Sequence, residues 1–391
     1  MPVLRSIRER LHRERPLDGV AVAACLHVTA ETANLVRALV AGGARAALCS
    51  ANPLSTQDEV AAALAAEHGA EVHARRGEDP DTWVAHVGAV AATRPQVTLD
   101  DGADLLMLLH EAGRAGALLG GTEETTAGLL RVRGLEAAGG LVCPVVAVNE
   151  ARAERVFNDH YGTGQSTLDG ILRATNLLLA GQTLVVLGYG FTGRGVALRA
   201  RGAGAQVVVC EVDPLRALEA RMEGFEVMPA LAAAQRGDVF VTVTGSRDVL
   251  RREHFERMKD GAVLANAGHF DVEIALDDLR AVARDVREVL PLVEQFDLGD
   301  RRLNLLASGR VVNLAAGRGH PAAVMDLTFA LQALVVEDLV RAGGELPARV
   351  LAVPDAIDRE VARLKLEALG VGIDELTPEQ ARYLHAWEGA G

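Results

Sequence analysis

Aromatic residues are scarce, at 3% of 391 residues, so the stacking platforms that hold single-stranded nucleic acids are missing. Positive charge is also short. Lys plus Arg number 40 against 53 for Asp plus Glu, a net charge of −13. A surface that acidic repels phosphate backbones and anionic membranes, so neither nucleic acid nor membrane is an expected partner. The four cysteines, Cys25, Cys49, Cys143 and Cys210, form no CxxC pair. That argues against a disulfide framework or a zinc site, so no metal is expected, and it fits a reducing compartment. Charges or glycines interrupt every apolar run before the roughly 18 residues that a membrane span needs. The N-terminal LRSIRERLHRERPLD is charged and lacks the apolar core of an export signal. A cytoplasmic location is expected. What is present is ordinary for a folded chain: 49% apolar and 24% charged residues, with a length that predicts two or three domains.

Strand and helix signals alternate. Apolar runs at 21–28, 45–52, 96–104 and 142–149 read as strands, and 29–44 and 58–70 as helices. This rhythm predicts a parallel sheet covered on both faces. Polar residues sit where the strands stop: His27, then Ser55, Thr56 and Gln57, then Asp100 and Asp101, then Asn149. Each can be a turn or helix-cap residue. Together they suggest a ligand site, because open α/β sheets bind ligands beyond the carboxyl ends of their strands.

A second unit opens near Asp169, with a helix at 169–180 and then strand, glycine turn, helix and strand through 182–214. The alternation continues at 238–245, 262–268 and 310–317, before long helices at 320–343 and 358–371. The turn holds Gly188, Gly190 and Gly193, with Phe191 and Thr192 between, and matches G-x-G-x-x-G after an apolar strand. The first glycine permits the tight turn, the second lets a pyrophosphate approach the backbone, and the third lets helix and strand pack closely. Glu211 ends the next strand, where a carboxylate accepts ribose hydroxyls and repels a 2′-phosphate. NAD is therefore preferred to NADP. The plainer alternative is a glycine-rich turn with a surface Glu.

Longer motifs then carry a resemblance. LHVTAETANLVRAL (26–39), LDDGADL (99–105), GTEETTAG (121–128), YGTGQSTLDGILRATN (161–176), GYGFTGRG (188–195), MKDGAVLANAGHFDVEI (258–274) and VVNLAAGRGHPAAVMD (311–326) together resemble adenosylhomocysteinase, in its shorter, archaeal-type branch. The resemblance implies an α/β fold of two doubly wound domains. A Rossmann NAD domain at 158–319 is inserted in a discontinuous substrate domain, 1–157 and 320–357, and 358–391 form a C-terminal helix and tail. It implies hinges near 155–165 and 315–325, and a homotetramer. It also implies a cycle in which tightly held NAD oxidises the nucleoside 3′-hydroxyl, the C4′ proton becomes removable, the 5′ substituent leaves, and the carbonyl is reduced again.

Residue by residue, His27 and Asp101 resemble the pair that manages protons at C4′ and the departing group. Glu124 resembles the carboxylate that holds sugar hydroxyls, and His269 the residue above the 3′ carbon. Thr29, Glu31 and His320 resemble contacts to the base, with Ser55, Thr56 and Gln57 also on the substrate side. Thr125, Thr126, Asp159, Glu211, Asn266, Gly268 and Asn313 resemble cofactor contacts. A capped strand-end His, an Asx-turn acid, helix-start residues and a loop His are the plainer alternatives. One segment departs from the pattern. In VNEARAERVFNDHYGTG (148–164), Glu154 stands where the family has a lysine, and Asn158-Asp159 replace Asp-Asn. A carboxylate in place of a cation reverses the local electrostatics. The preferred expectation is an adenine-nucleoside dehydratase resembling that of angustmycin biosynthesis. The alternatives are a divergent S-adenosyl- or S-inosylhomocysteine hydrolase and a non-catalytic NAD-binding homologue.

Overall fold

A computed structural model describes residues 1–385. Two sheets organise them. The first takes β1 (Ala21–Leu26), β2 (Arg45–Ser50), β3 (Glu71–His73), β4 (Val97–Asp100), β5 (Gly120–Glu123) and β6 (Val145–Ala147). The second takes β7 (Thr183–Leu187), β8 (Gln206–Cys210), β9 (Glu226–Val227), β10 (Val239–Thr242), β11 (Ala262–Asn266), β12 (Asp285–Leu290), β13 (Val293–Asp297) and β14 (Arg302–Leu306). The chain then returns to the first sheet through β15 (Val350–Ala352), so the substrate-side sheet is discontinuous in sequence, as expected.

The first sheet runs β15-β6-β5-β4-β1-β2-β3 and is parallel throughout. The second runs β12-β13-β14-β11-β10-β7-β8-β9, parallel from β14 to β9, with an antiparallel β12-β13-β14 edge. All six β1 residues are buried, as are four of the five in β7. A strand covered by helices on both faces is apolar throughout rather than alternating. In each sheet the chain winds outward from one strand and then restarts on its other side. The reversals fall between β1 and β4 and between β7 and β10. Ligands bind at such switch points, outside the carboxyl ends, and these two open into one cleft.

The long helix Ala322–Ala342 and the helices Pro2–Glu14 and Asp355–Ala368 share one apolar core beside the first sheet. The first helix has no side-chain cap of its own. Buried Asp326 supplies one from the long helix, accepting from Val3 N at 3.2 Å and Leu4 N at 2.9 Å. Lys365 Nζ, at 3.0 Å, balances that charge. A carboxylate at a helix N-terminus answers unpaired N–H groups and the helix dipole.

Three expectations need correction. Residues 310–317 do not form a strand: a single bridge joins Val311 to Asn266, and Val312–Ala315 turns as a short helix. Short apolar runs do not separate strand from helix by periodicity. The helix expected at 169–180 begins at Gly164 and ends at Thr175, where Asn176 takes the left-handed cap conformation at φ 52°. The boundary at 357/358 falls inside the helix Asp355–Ala368, whose Val361 is fully buried in the first domain's core. The final residues of the expected tail, 386–391, lie outside the described residues. Ahead of Gly164, Glu154–Thr163 winds as a π-helix, a form that gathers at functional sites.

Candidate active site

His27 follows β1 and Asp101 follows β4, so adjacent parallel strands bring them to one sheet edge. His27 Nε2 lies 3.1 Å from Asp101 Oδ2, and His269 Nδ1 lies 3.2 Å from Asp101 Oδ1. Gly102 makes the second approach possible: its φ is +113°, and a Cβ there would sit 2.7 Å from His269 Nε2. Ser55 Oγ stands 2.7 Å from His27 Nδ1, and Thr32 Oγ1 donates to His27 O at 2.5 Å. The imidazole is therefore held on both sides. Burial opposes ionisation of Asp101, but the charges of His27 and His269 overcome it and hold the carboxyl down at about 2. Burial lowers His269, with Asp101 opposing, and takes His320 down to about 4. The three donor atoms of His27, Asp101 and His269 lie within 4.8 Å of one another. They are thus the group among the described residues that could hold a metal ion. The same spacing suits a proton relay.

Carboxyl groups line the next part of the cleft. Glu124 is pushed well above the usual range by burial and by the charges of Asp101, Glu154 and Glu123, and Gln332 Nε2 donates to it. Glu154 is raised to about 8 by burial and by Asp159, against hydrogen bonds from Thr328 and Asn158. Burial also lifts Asp159 to about 7, with Arg155 opposing. Thr126 Oγ1 donates to Asn149 Oδ1 at 3.0 Å, joining the β5 and β6 ends. His320 Nε2 lies 3.0 Å from Thr163 Oγ1 and 3.1 Å from Asn313 Nδ2, so it ties together both crossings between the sheets.

The opposite wall is the glycine turn after β7. Gly188 has φ +106°, and a Cβ at Gly193 would lie 2.0 Å from Gly188 O, so helix and turn pack without side chains. A Cβ at Gly190 would meet only Arg216 Nη1, at 3.7 Å, leaving an open cradle at the N-terminus of the helix Phe191–Gly202. Free N–H groups and the helix dipole favour an anion there. Glu211 is held facing this turn, accepting from Tyr189 N at 2.6 Å and from Asp213 N at 3.0 Å. These residues fit a dinucleotide: a phosphate cradle with a ribose-binding carboxylate at the next strand end.

The cleft is about 1220 Å³ and is lined by His27, Thr29, Glu31, Asp101, Glu124, Thr125, Thr126, Glu154, Asn158, Asp159, Gly188, Gly190, Phe191, Thr192, Glu211, Gly268, His269, Asn313 and His320. Five expected residues lie behind that wall. Ser55 supports His27, Thr56 is fully buried, and Gln57 precedes the helix Asp58–Glu67. Gly193 packs on the turn. Asn266 is spent on the protein: its two amide N–H groups are shared among Gly268 O, Phe270 O and Gly309 O, and its Oδ1 accepts from Thr242 Oγ1. Several supporting residues carried no expected role, although Glu123 and Glu273 stand within motifs that carry the resemblance. Glu123, fully buried, accepts from Gly102 N and Thr125 N at 2.9 Å each. Glu273 accepts from Thr244 and Gly245 below the cofactor wall. Thr328 and Gln332 sit one turn apart in an apolar helix, a spacing of polar residues that the sequence does display.

Comparison with known proteins agrees with this geometry. The family description "S-adenosyl-L-homocysteine hydrolase, NAD binding domain" matches residues 159–319, and "S-adenosyl-L-homocysteine hydrolase" matches residues 1–118. The chain is 57% identical to the adenosylhomocysteinase of Aquifex aeolicus, over 99% of this chain and 94% of that one. It is 51% identical to that of Archaeoglobus fulgidus, over 99% and 96%. It is also 51% identical to the S-inosyl-L-homocysteine hydrolase of Methanopyrus kandleri, over 99% and 92%. Among solved structures, a dipicolinate synthase chain from Bacillus halodurans shares the fold, with a TM-score of 0.50 at 15% identity over 83% of this chain and 99% of that one. A phosphate cradle facing a His–Asp–His cluster, within a match that runs almost end to end, leaves one conclusion: the chain belongs to the adenosylhomocysteinase family of NAD-dependent enzymes.

Proposed function

We propose that the chain breaks and forms a bond at C5′ of an adenine-type nucleoside through transient oxidation of the sugar. The observation that carries this reading is the single cleft joining the His27–Asp101–His269 cluster to the dinucleotide cradle. NAD, when bound, supplies the oxidant for the 3′ carbon and the electron pair that restores it. The chain's own residues do the rest. Thr29, Glu31 and His320 hold the base, and Glu124 receives sugar hydroxyls. His269 faces the 3′ position. His27 and Asp101 take the proton made acidic at C4′ and serve the group leaving C5′. The cleft between the sheets closes at the 155–165 and 315–325 crossings and keeps water from the carbonyl.

For the leaving group, hydrolysis of an S-adenosyl- or S-inosylhomocysteine thioether is the better-supported reading. Relatives bearing those names match at 51–57% over 99% of the chain. This reverses the order drawn from residues 148–164 alone. Dehydration of an adenine nucleoside to an exocyclic ene is the second reading, and Glu154 favours it: a buried carboxyl lines the sugar side of the cleft. A cytoplasmic homo-oligomer, a tetramer on the family resemblance, completes the proposal. Four free, buried cysteines support the reducing compartment.

Incubation of the NAD-loaded protein with adenosine and homocysteine is expected to give the thioether. If none forms while a psicofuranosyl adenine loses the mass of water, dehydration takes first place. Inactivity of the holo-protein on both substrates would overturn the C5′ reading.

A further inference from the structure

Glu154 is 1% exposed and lines the cleft, and among the described residues no cation touches it. Its oxygens are held by Asn158 Nδ2 and by Thr328 Oγ1, the latter at 2.5 Å. The adjacent guanidinium, Arg155, turns to Glu150 at 3.1 Å. On the packed helix Phe191–Gly202, Arg194 pairs with Glu219 and Glu223, and Arg199 lies over the Tyr161 ring. His320 is half-buried, and desolvation holds it in its neutral form. The other groups facing Glu154 are acids: Asp159 on its own segment, Asp101 after β4 and Glu124 after β5. A buried carboxylate among carboxylates, without a counter-charge, keeps its proton.

An acceptor open to that proton belongs to the same amide that donates to Glu154. Asn158 Oδ1 is buried and unpartnered while its Nδ2 donates to Glu154. A carboxyl group that both accepts from an amide N–H and donates to the amide oxygen satisfies all four groups. The arrangement recurs one helical turn further along the long helix, where Gln332 Nε2 donates to Glu124 and Gln332 Oε1 is unpartnered.

We propose that Glu154 acts as a neutral acid whose carboxyl proton hydrogen-bonds and polarises the sugar oxygen, with Thr328 as the positioning residue that fixes its other oxygen. The proposal rests on the C5′ reading above. Asn158 Oδ1 holds the proton in the free enzyme, and the substrate oxygen takes it over on binding. A carboxyl kept neutral by its surroundings is a strong donor in a low-dielectric site.

Infrared difference spectra of the NAD-loaded wild type and E154Q decide the protonation state without any substrate. At neutral pH the wild type should show a protonated-carboxyl stretch that E154Q lacks, and alkali should abolish it in the wild type. Identical spectra at neutral pH would overturn the proposal. Turnover reads the role. E154A is expected to lose about 10²–10³-fold in kcat, and E154Q, whose amide still donates, about tenfold. T328V removes a bond that favours the ionised form, so its alkaline limb should move to higher pH, with lower kcat and little change in KM. If E154Q is as impaired as E154A while both retain NAD and wild-type Tm, the carboxylate itself is required and the proposal fails. If no adenine nucleoside turns over even in the wild type, the C5′ reading fails, and the spectra still settle the proton on Glu154.

Discussion

Asp101 sets the electrostatics of the reacting corner. It is the charged group that both His27 and His269 share, at 3.1 Å and 3.2 Å. Its carboxyl stays ionised because those rings outweigh burial. Asp101→Asn keeps the shape and removes the acceptor charge. His269, already lowered by burial, then loses the partner that raised it. The expected cost is about 10²–10⁴-fold in kcat, the usual worth of a positioned acid or base. Steady-state rates normalised to bound NAD check this. A loss below threefold would remove Asp101 from proton transfer. His27 and Asp101 were legible in the sequence because polar groups ending apolar strands of a parallel sheet must gather at one edge. The role of Glu123 was not legible: a buried acid that accepts from a backbone N–H of its own turn and from one in the loop after β4 has no signature in residue spacing.

At the scale of elements, the glycine turn and the helices around it carry the cofactor wall. Strand, turn and helix were readable because each glycine answers a steric demand that other residues cannot meet. Gly193→Ala puts a Cβ 2.0 Å from Gly188 O, which must push helix Phe191–Gly202 off its strand. Overpacking of this kind costs about 1–3 kcal/mol and moves the cradle, so the purified variant should carry far less NAD than the wild type. NAD released on denaturation measures it, and full occupancy would contradict the role given to that close packing. The π-helix Glu154–Thr163 escaped sequence analysis for a physical reason. It differs from an α-helix by the register of its hydrogen bonds, not by composition. The register turns Glu154 and Asn158 into the cleft together, next to Thr328 of the long helix.

Across the whole molecule, two sheets with the same winding set their reversals against each other. One presents His27 and Asp101, the pair proposed to transfer protons, and the other a phosphate cradle and His269. The chain crosses between them twice, and His320, Thr163 and Asn313 knot the crossings together. Closure about these segments would bring the cofactor wall onto the sugar. The inserted arrangement followed from the family resemblance rather than from strand signals: the strand that returns the chain to the first sheet, β15, is three residues long and left no signal that was read. The helix Asp355–Ala368, expected outside the first domain, was misplaced because an amphipathic pattern shows that a face is buried but not against what. The account as a whole depends on oxidation making the C4′ hydrogen removable. Its most direct test is to incubate the NAD-loaded protein with an adenine nucleoside substrate in deuterated water and locate deuterium in the recovered nucleoside. The account predicts one deuterium at C4′ of the saturated nucleoside, product or recovered substrate, entering about 10²–10⁴-fold more slowly with Asp101→Asn; turnover between saturated nucleosides with no deuterium at C4′ would contradict it.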